Sequence, residues 1–296
     1  MQGVWRLADP KISLASMSSL FLGACAAATL GPIDPFWLAA TVVGIFLIEV
    51  GKNASGEVFD FETDAAVREE DRSPFSGGKR VLVDGLLTRR QTWGIAVTGF
   101  GAGVAIGLYI AAEREPGILL IGLAGVGCAY FYNGSPLKLA YRGLGELAVG
   151  ACYGPLIFAG TVLVQRHEVP WTLVAASLPL GLLIAAFLWV CEFPDYEADR
   201  SAGKRNLVVR LGRRRASLVL PLIFAAAAAF VSVAILMGAP RGIALGLIFL
   251  APASIAAITL GRSPDRTPRI IQAQALTLMA FLAYSVGAGC GLLFIR

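Results

Sequence analysis

Nine apolar stretches divide this 296-residue chain, and each is long enough to cross a lipid bilayer as a helix. A spanning helix needs about 17–25 mostly apolar residues. Only 15% of the residues are charged, whereas soluble domains carry about 25%. We therefore predict an all-α, multi-pass membrane protein, a single domain over residues 1–296 with two pseudo-repeated halves around a central cavity. The predicted spans are residues 13–31, 35–53, 92–112, 116–132, 144–164, 171–191, 216–237, 240–260 and 270–294.

Positive charge falls almost entirely in alternate loops of this arrangement. With the N-terminus in the cytoplasm, all but four of the 25 Lys and Arg residues lie on the cytoplasmic side. The four exceptions are Arg114, Arg166, Arg241 and Arg296. Cytoplasmic loops of membrane proteins carry an excess of Lys and Arg, so this asymmetry supports the number and direction of the spans. The net charge of +5 is thus typical of membrane loops and predicts contact with membrane lipid, with no nucleic-acid partner.

Two loops on that side carry the same arrangement of carboxylates followed by bases. The first begins Glu57-x-x-Asp60-x-x-x-Asp64, and the second begins Glu192-x-x-Asp195-x-x-x-Asp199. Behind them lie the basic segments 76–86 and 201–211, which are identical at seven positions with a constant offset. Four predicted spans separate the two copies, so both lie on one face. Each half of the chain is therefore expected to supply one arm of a shared site.

The residue types of these arms favour a metal-bound diphosphate as ligand. In a helix, positions i, i+3 and i+7 fall within an arc of about 60°, so each carboxylate set is expected on one helix face. Such carboxylates repel one another unless a cation lies among them. Two facing sets of oxygen ligands suit Mg²⁺, which usually takes one or two carboxylates plus phosphate oxygens. The Lys and Arg side chains behind them suit the phosphate oxygens themselves.

A third segment on the same face, residues 130–146, combines aromatic and basic residues. Aromatic faces can stabilise a developing carbocation, and Lys138 and Arg142 are placed to reach a diphosphate. The alternative interpretation of this segment is an aromatic belt at the membrane surface.

The two motifs and this segment resemble those of the UbiA superfamily of intramembrane prenyltransferases over nearly the whole chain. Residues 132–146 and 195–212 look most similar to its menaquinone branch, which attaches a polyprenyl chain to 1,4-dihydroxy-2-naphthoate with loss of CO2. The resemblance implies Mg²⁺ held by four aspartates and diphosphate contacts at Lys138 and Lys204. Both copies differ from the family pattern at one place, where Gly56-Glu57 and Cys191-Glu192 replace Asn-Asp or Asn-Asn.

The resemblance and the residues together predict an enzyme of the bacterial inner membrane whose site faces the cytoplasm. It would transfer a polyprenyl group from polyprenyl diphosphate to an aromatic acceptor, with 1,4-dihydroxy-2-naphthoate expected. The expected catalytic and metal-binding residues are Asp60, Asp64, Asp195 and Asp199. The expected substrate contacts are Asn53, Glu57, Arg72, Lys79, Arg80, Tyr132, Lys138, Arg142, Glu192 and Lys204.

Two alternatives stay open. The acceptor can be 4-hydroxybenzoate, homogentisate or a glycerophosphate lipid, and the roles of Glu57 and Glu192 can be outer metal ligand, acceptor contact or proton acceptor. A transporter built on a repeat is the second alternative. It is disfavoured because inverted repeats would place the two motifs on opposite faces.

Overall fold

A computed structural model describes residues 2–295, apart from the side chains of residues 10–12. All regular structure in that range is helical, so the predicted all-α architecture is confirmed. Eight helical segments of the described chain are long and apolar enough to span a membrane. They are Ser13–Leu30, Pro35–Phe59, Arg89–Glu113, Gly145–Arg166, Trp171–Cys191, Arg213–Leu236, Arg241–Arg262 and Thr267–Phe294. The remaining predicted span, 116–132, forms the helix Ile118–Phe131, whose 14 residues extend only about 21 Å.

The longest connection between α-helices, residues 66–88, contains the first basic segment, and residues 132–144 and 237–249 form the next longest. In chain order the α-helices are α1 (Gln2–Ala8), α2 (Pro10–Leu30), α3 (Pro35–Phe59), α4 (Phe61–Ala65), α5 (Arg89–Glu113), α6 (Ile118–Phe131), α7 (Gly145–Ala151), α8 (Ile157–Arg166), α9 (Trp171–Ala175), α10 (Leu178–Cys191), α11 (Tyr196–Ser201), α12 (Leu207–Leu211), α13 (Arg213–Leu236), α14 (Leu250–Arg262) and α15 (Thr267–Phe294). Shorter 3₁₀ helices cover Glu69–Asp71, Leu139–Arg142 and Arg241–Phe249, and a π-helical turn covers Cys152–Leu156.

The expectation that each carboxylate set lies on one continuous helix is wrong. Helix α3 ends at Phe59, and Asp60 adopts φ −101° and ψ 11° before α4 begins. In the second copy, α10 ends at Cys191 and α11 begins only at Tyr196. Pro194 lies in that gap, where its missing N–H and its ring disfavour a continuous helix. Each set therefore spans a break between two helices and does not lie on one continuous helix face.

The bundle is closed on one side and open on the other. Helix α10 is buried along most of its length, with Leu180, Leu183 and Trp189 among its core residues. Helix α6, by contrast, buries none of its residues, and Leu120 and Leu123 are 77% and 74% exposed. A cavity therefore lies behind α6, on the side of the bundle formed by α3, α5, α6 and α8.

Helices α3 and α5 pack closely enough to form a firm wall for this cavity. A Cβ at Gly99 would lie 2.9 Å from the Leu47 carbonyl oxygen and 2.9 Å from the Gly51 nitrogen. Only a residue without a side chain permits that approach, which is the usual device of membrane helix pairs.

Helix α1, which the sequence analysis did not predict, packs on the first basic loop. Arg6 pairs with Asp84 at 2.6 Å. Leu7 is fully buried in a small cluster with Ala54, Val81 and Ala96. This helix thereby ties the loop behind Asp64 to helices α3 and α5.

Two of the four bases assigned to the opposite end of the bundle have structural roles there. The Arg114 guanidinium donates to the carbonyl oxygens of Val164 and Gln165, at 2.9 and 3.1 Å. Arg166 donates to the Ala27 carbonyl oxygen at 2.8 Å. Both arginines therefore satisfy carbonyl groups that helix ends leave without an intrahelical partner.

Candidate active site

The two motifs lie side by side, with Lys204 between them. The Lys204 Nζ is 3.6 Å from Asp60 Oδ2, in the first copy, and 3.4 Å from Asp199 Oδ1, in the second. The backbone N–H of Gly77, in the first loop, donates to Asp195 Oδ2 at 2.9 Å. Asp60, Asp64, Asp195, Asp199 and Lys204, five of the predicted residues, are thus brought to one place.

The third segment, which follows α6, completes the site by holding Asp60. The Asn133 side-chain amide donates to Asp60 Oδ2 at 3.0 Å, and the Tyr141 hydroxyl donates to Asp60 Oδ1 at 2.9 Å. Asn133 and Tyr141 were not among the predicted site residues. Their position within the singled-out segment 130–146 was the signal that could have found them.

Glu57 organises the first basic loop. Its Oε1 accepts the backbone N–H of Lys79 and, at 2.9 Å, that of Arg80, while its Oε2 accepts the N–H of Val81 at 2.7 Å. The three backbone N–H groups together engage both oxygens of the carboxylate. Hydrogen bonds from a backbone N–H to an ionised acceptor are among the strong ones in proteins. Glu57 therefore shapes the loop.

Glu192, at the matching position of the second copy, has a different environment. Its Oε2 is buried without a hydrogen-bond partner, as is the Oε2 of Glu146. The other Glu146 oxygen accepts the Leu207 N–H at 2.8 Å. Burial first, and then the neighbouring Glu146, raises the pKa of Glu192 well above its ordinary value. Burial and the facing Glu146 carboxylate therefore favour the protonated form of Glu192.

This contrast predicts different effects for the same substitution at the two matching positions. Glu57→Gln removes an ionised acceptor and at least one bond to it, at a cost of about 1.5–3 kcal/mol. We expect a lower melting temperature in detergent for Glu57→Gln. Glu192→Gln should leave the melting temperature unchanged or raise it, because no donor to Glu192 is lost. Equal losses in the two variants would contradict these roles.

Four further predicted contacts bind groups of the protein itself. Asn53 donates to the Leu7 carbonyl oxygen at 2.9 Å. The Lys79 ammonium pairs with Asp9. Arg80 donates to the Asp64 carbonyl oxygen at 3.0 Å, and Arg72 pairs with Glu69 at 3.0 Å. None of these four side chains has a described contact with a carboxylate oxygen of the motif aspartates.

The remaining predicted contacts lie around the rim. Lys138 is exposed, with its Nζ 5.1 Å from the centroid of the Tyr141 ring. Arg142 is also exposed and donates to the Pro136 carbonyl oxygen at 3.0 Å. Tyr132 lies deeper, in the wall of the cavity.

The cluster carries more negative charge than its own cations can balance. Burial, followed by the neighbouring Asp60, raises the pKa of Asp64 to about 8. Burial, followed by Asp199, raises the pKa of Asp195 to about 7. Asp195 Oδ1 is buried and accepts no hydrogen bond. A cation bound among these carboxylates would lower the pKa of Asp64 and of Asp195 and would give Asp195 Oδ1 a partner.

The donor set fits Mg²⁺ bound together with a phosphate ligand. Within residues 2–295, no three His, Cys, Asp or Glu side chains converge enough to hold a metal ion by themselves. Mg²⁺ usually binds through one or two carboxylates and keeps its other positions for water and substrate phosphates. Aspartates supplied by two separate loops fit this mode of binding, in which water and substrate phosphates complete the coordination.

These pKa values predict how the stability of the metal-free protein changes with pH. Asp64 and Asp195 have a pKa near 3.8 when unperturbed and about 8 and 7 in the fold. The folded state therefore binds more protons, and stability falls as pH rises through 7 and 8. We expect the melting temperature in EDTA to drop from pH 6 to 9, and millimolar Mg²⁺ to reduce that drop. Parallel curves with and without Mg²⁺ would contradict a cation site at these carboxylates.

An apolar cavity of about 390 Å³ approaches the carboxylate cluster at Tyr132, which precedes the Asp60 partner Asn133, although no motif aspartate lines it. Its few polar wall residues include Glu49, Lys52, Tyr132 and Tyr153. Lys52 precedes Asp60 by eight residues on the same helix, a distance of about 12 Å along the axis. The site therefore combines a charged region at the loop end with a long apolar space beneath it.

Comparison with known proteins agrees with this arrangement. The sequence model of the UbiA prenyltransferase family matches residues 16–283. The 1,4-dihydroxy-2-naphthoate octaprenyltransferase of Bacillus subtilis (strain 168) is 26% identical over 238 residues, which are 80% of this chain and 75% of that protein. The 2-carboxy-1,4-naphthoquinone phytyltransferase of Synechocystis is 33% identical over 174 residues, 57% of this chain and 53% of that protein.

A solved structure shares the fold. A UbiA homologue from Archaeoglobus fulgidus, bound to DMAPP and Mg²⁺, superposes with a TM-score of 0.69 at 17% identity. The match covers 97% of this chain and 99% of that one.

Proposed function

Because this chain belongs to the UbiA prenyltransferase family, we propose that it transfers a polyprenyl group from polyprenyl diphosphate to an aromatic acceptor, with Mg²⁺ as the metal. The observation that carries the proposal is the joining of two environments. Carboxylates and Lys204 from both halves of the chain meet at one place, and Tyr132, which precedes the Asp60 partner Asn133, belongs to the apolar wall of a cavity of about 390 Å³. A polyprenyl diphosphate has a charged head and an apolar tail, and it matches both.

The residues proposed to hold Mg²⁺ are Asp60, Asp64, Asp195 and Asp199. Bound Mg²⁺ supplies Lewis-acid stabilisation of the negative charge on the leaving diphosphate. The protein's own contribution is to hold these carboxylates in place. Asn133 and Tyr141 orient Asp60, and the Gly77 N–H orients Asp195.

Lys204 is proposed to donate to a phosphate oxygen of the head group, because its ammonium already lies between the two motifs. The bond that breaks joins the diphosphate oxygen to the first prenyl carbon, and its electron pair leaves with the diphosphate. A fixed cation at that point stabilises charge that develops in the transition state. The Tyr141 ring, 5.8 Å from the Lys204 ammonium, is placed to face the allylic cation. Lys138 and Arg142, at the rim, are proposed to guide the diphosphate in.

The tail is proposed to lie in the cavity between α3, α5, α6 and α8. Helix α6 buries none of its residues, so the wall on that side is thin and adjoins lipid. A substrate made in the membrane can therefore enter from the bilayer while its head reaches the loops.

The proposed acceptor is 1,4-dihydroxy-2-naphthoate, which the name of the Bacillus subtilis relative specifies. The ring carbon that bears the carboxylate forms the new C–C bond to the prenyl cation. The acceptor carboxylate leaves as CO2, and the electron pair of its bond restores the aromatic ring. This accounts for every electron pair and needs no oxidant.

The site is proposed to face the cytoplasm from the cytoplasmic membrane, with residues 1–296 acting as a single domain. The concentration of Lys and Arg at the loops around the carboxylates supports this direction, because positive loops stay in the cytoplasm.

The test is prenyl transfer by the purified protein with Mg²⁺, polyprenyl diphosphates of several lengths and a panel of acceptors, followed by mass spectrometry. The panel contains 1,4-dihydroxy-2-naphthoate, 4-hydroxybenzoate, homogentisate and a glycerophosphate lipid. We expect a decarboxylated, prenylated naphthalenediol, which is lost in Asp195→Asn and retained in Asp265→Asn, whose carboxylate is 71% exposed. Product from another acceptor alone would overturn the naphthoate assignment, and full activity of Asp195→Asn would overturn the metal site.

A further inference from the structure

The apolar cavity contains a polar patch that diphosphate release does not use. We call it the cavity patch, and its members are Glu49, Lys52, Tyr132 and Tyr153, all in the cavity wall. Glu49 lies eleven residues, about three helical turns, before Asp60. Glu49 and Lys52 therefore lie away from the carboxylate cluster, whereas Tyr132 adjoins it near Lys204.

Within the cavity patch, Glu49 is fully paired. Its Oε1 accepts the Tyr153 hydroxyl at 2.9 Å, and its Oε2 accepts the Ser16 hydroxyl at 3.0 Å. The side chain is 6% exposed. Both carboxylate oxygens are thus engaged, and neither is an ion-pair partner for a neighbouring base.

The Lys52 side chain, one turn from Glu49, makes no direct ion pair or hydrogen bond with any residue from 2 to 295 whose side chain is described. Glu49 and Asp60 interact with it electrostatically only from a distance. Its ammonium lies 5.2 Å from the centroid of the Tyr132 ring. Charged residues inside a membrane domain are costly and normally face a partner or a functional cavity. The cavity that Lys52 lines gives a bound ligand access to this ammonium.

We propose that Lys52 binds the anionic group of the acceptor, the carboxylate of an aromatic acid, and thereby selects acidic acceptors over neutral phenols. The inference deepens the proposed function and rests on it. The apolar remainder of the wall suits the aromatic ring, and the ring of Tyr132 lies beside the ammonium. With its carboxylate at Lys52, the acceptor ring lies between Tyr132 and the diphosphate site about 12 Å away along α3.

Glu49 sets the depth of this binding position. Its two oxygens accept the Tyr153 and Ser16 hydroxyls one turn deeper than Lys52 on the same helix, so this level offers no donor to an anion placed further into the cavity. The acceptor is therefore held at the level of Lys52, close to the reacting end of the prenyl chain, while the apolar tail can pass beyond it.

The experiment compares two probes that differ only in the carboxylate, 1-hydroxy-2-naphthoate and 1-naphthol, by calorimetric binding to the purified full chain. Lys52→Met should weaken binding of 1-hydroxy-2-naphthoate by about 10- to 100-fold, the range for a hydrogen-bonded ion pair. Binding of 1-naphthol should not change, and Lys52→Arg should retain most of the preference. In turnover, Lys52→Met should raise the KM of the acceptor and leave the KM of the prenyl diphosphate unchanged.

Three results would overturn the inference: an equal loss for both probes, a loss of prenyl diphosphate affinity instead, or no preference for the carboxylated probe in the unmodified protein. Folding is monitored by the melting temperature, which Lys52→Met should not lower because no pairing partner is lost. Absence of any prenylated product from the unmodified protein is a separate outcome. It contradicts the proposed function, whereas an active protein whose acceptor preference survives Lys52→Met contradicts this inference alone.

Discussion

Replacing Lys204 by methionine is expected to lower kcat for prenyl transfer by about 10²- to 10³-fold, the usual loss when one fixed charge-stabilising donor is removed. The large expected loss follows from the position of the Lys204 ammonium. Lys204 is the cation that lies between the carboxylates of both motifs, within 3.6 Å of Asp60 and 3.4 Å of Asp199. Methionine preserves length and apolar volume, so the change isolates the ammonium. The measurement is single-turnover product formation at saturating Mg²⁺.

Lys79→Met is the matched control, since Lys79 occupies the same place in the first basic segment. Its ammonium pairs with Asp9 of the N-terminal segment and not with the aspartate motifs. Both side chains of this pair are mostly buried, at 17% and 15% exposed, so breaking it should lower the melting temperature. Because the ammonium does not contact the motifs, we expect only a few-fold loss of kcat. Equal losses for Lys79→Met and Lys204→Met would mean that the two lysines share one task, contrary to the geometry.

Gly78→Ala is expected to lower activity by at least about 100-fold, because misplacing a reacting group by about 1 Å has that effect. Gly78 has φ +70°, and a Cβ there would overlap Asp64 Oδ2. The substituted chain must therefore move either the loop or the Asp64 carboxylate. Activity and Mg²⁺ dependence are measured together, since a displaced Asp64 should also raise the Mg²⁺ concentration needed.

Gly203→Ala separates backbone strain from this contact. Gly203 is the matching glycine of the second segment and has φ +75°, but nothing lies within 4 Å of its added Cβ. Both substitutions incur the left-handed conformation, at about 1–2 kcal/mol, and should lower the melting temperature similarly. Only Gly78→Ala should lose most of the activity. Comparable activity losses in both variants would assign the effect to strain.

Residues at matching positions of the two repeated segments have different side-chain partners. Glu57 and Glu192 occupy equivalent positions, yet Glu57 accepts three backbone N–H groups whereas Glu192 Oε2 has no donor. Lys79 and Lys204 diverge in the same way. A sequence repeat predicts similar local backbone in both copies. The partner of each side chain depends instead on which residues of the other half of the chain lie near it. The carboxylate helices also bend at Asp60 and Pro194, which the helical spacing alone did not predict.

Hydropathy predicted the spanning segments from sequence alone, because the length and apolarity of a span are properties of consecutive residues. The family motifs likewise pointed to Asp60, Asp64, Asp195 and Asp199. Tertiary structure decided which groups surround them. The Gly77–Asp195 and Asn133–Asp60 bonds join residues 118 and 73 positions apart, and the energy of such contacts depends on distance in space. For the same reason, only the folded chain shows Lys52 as an unpaired cation in the cavity wall.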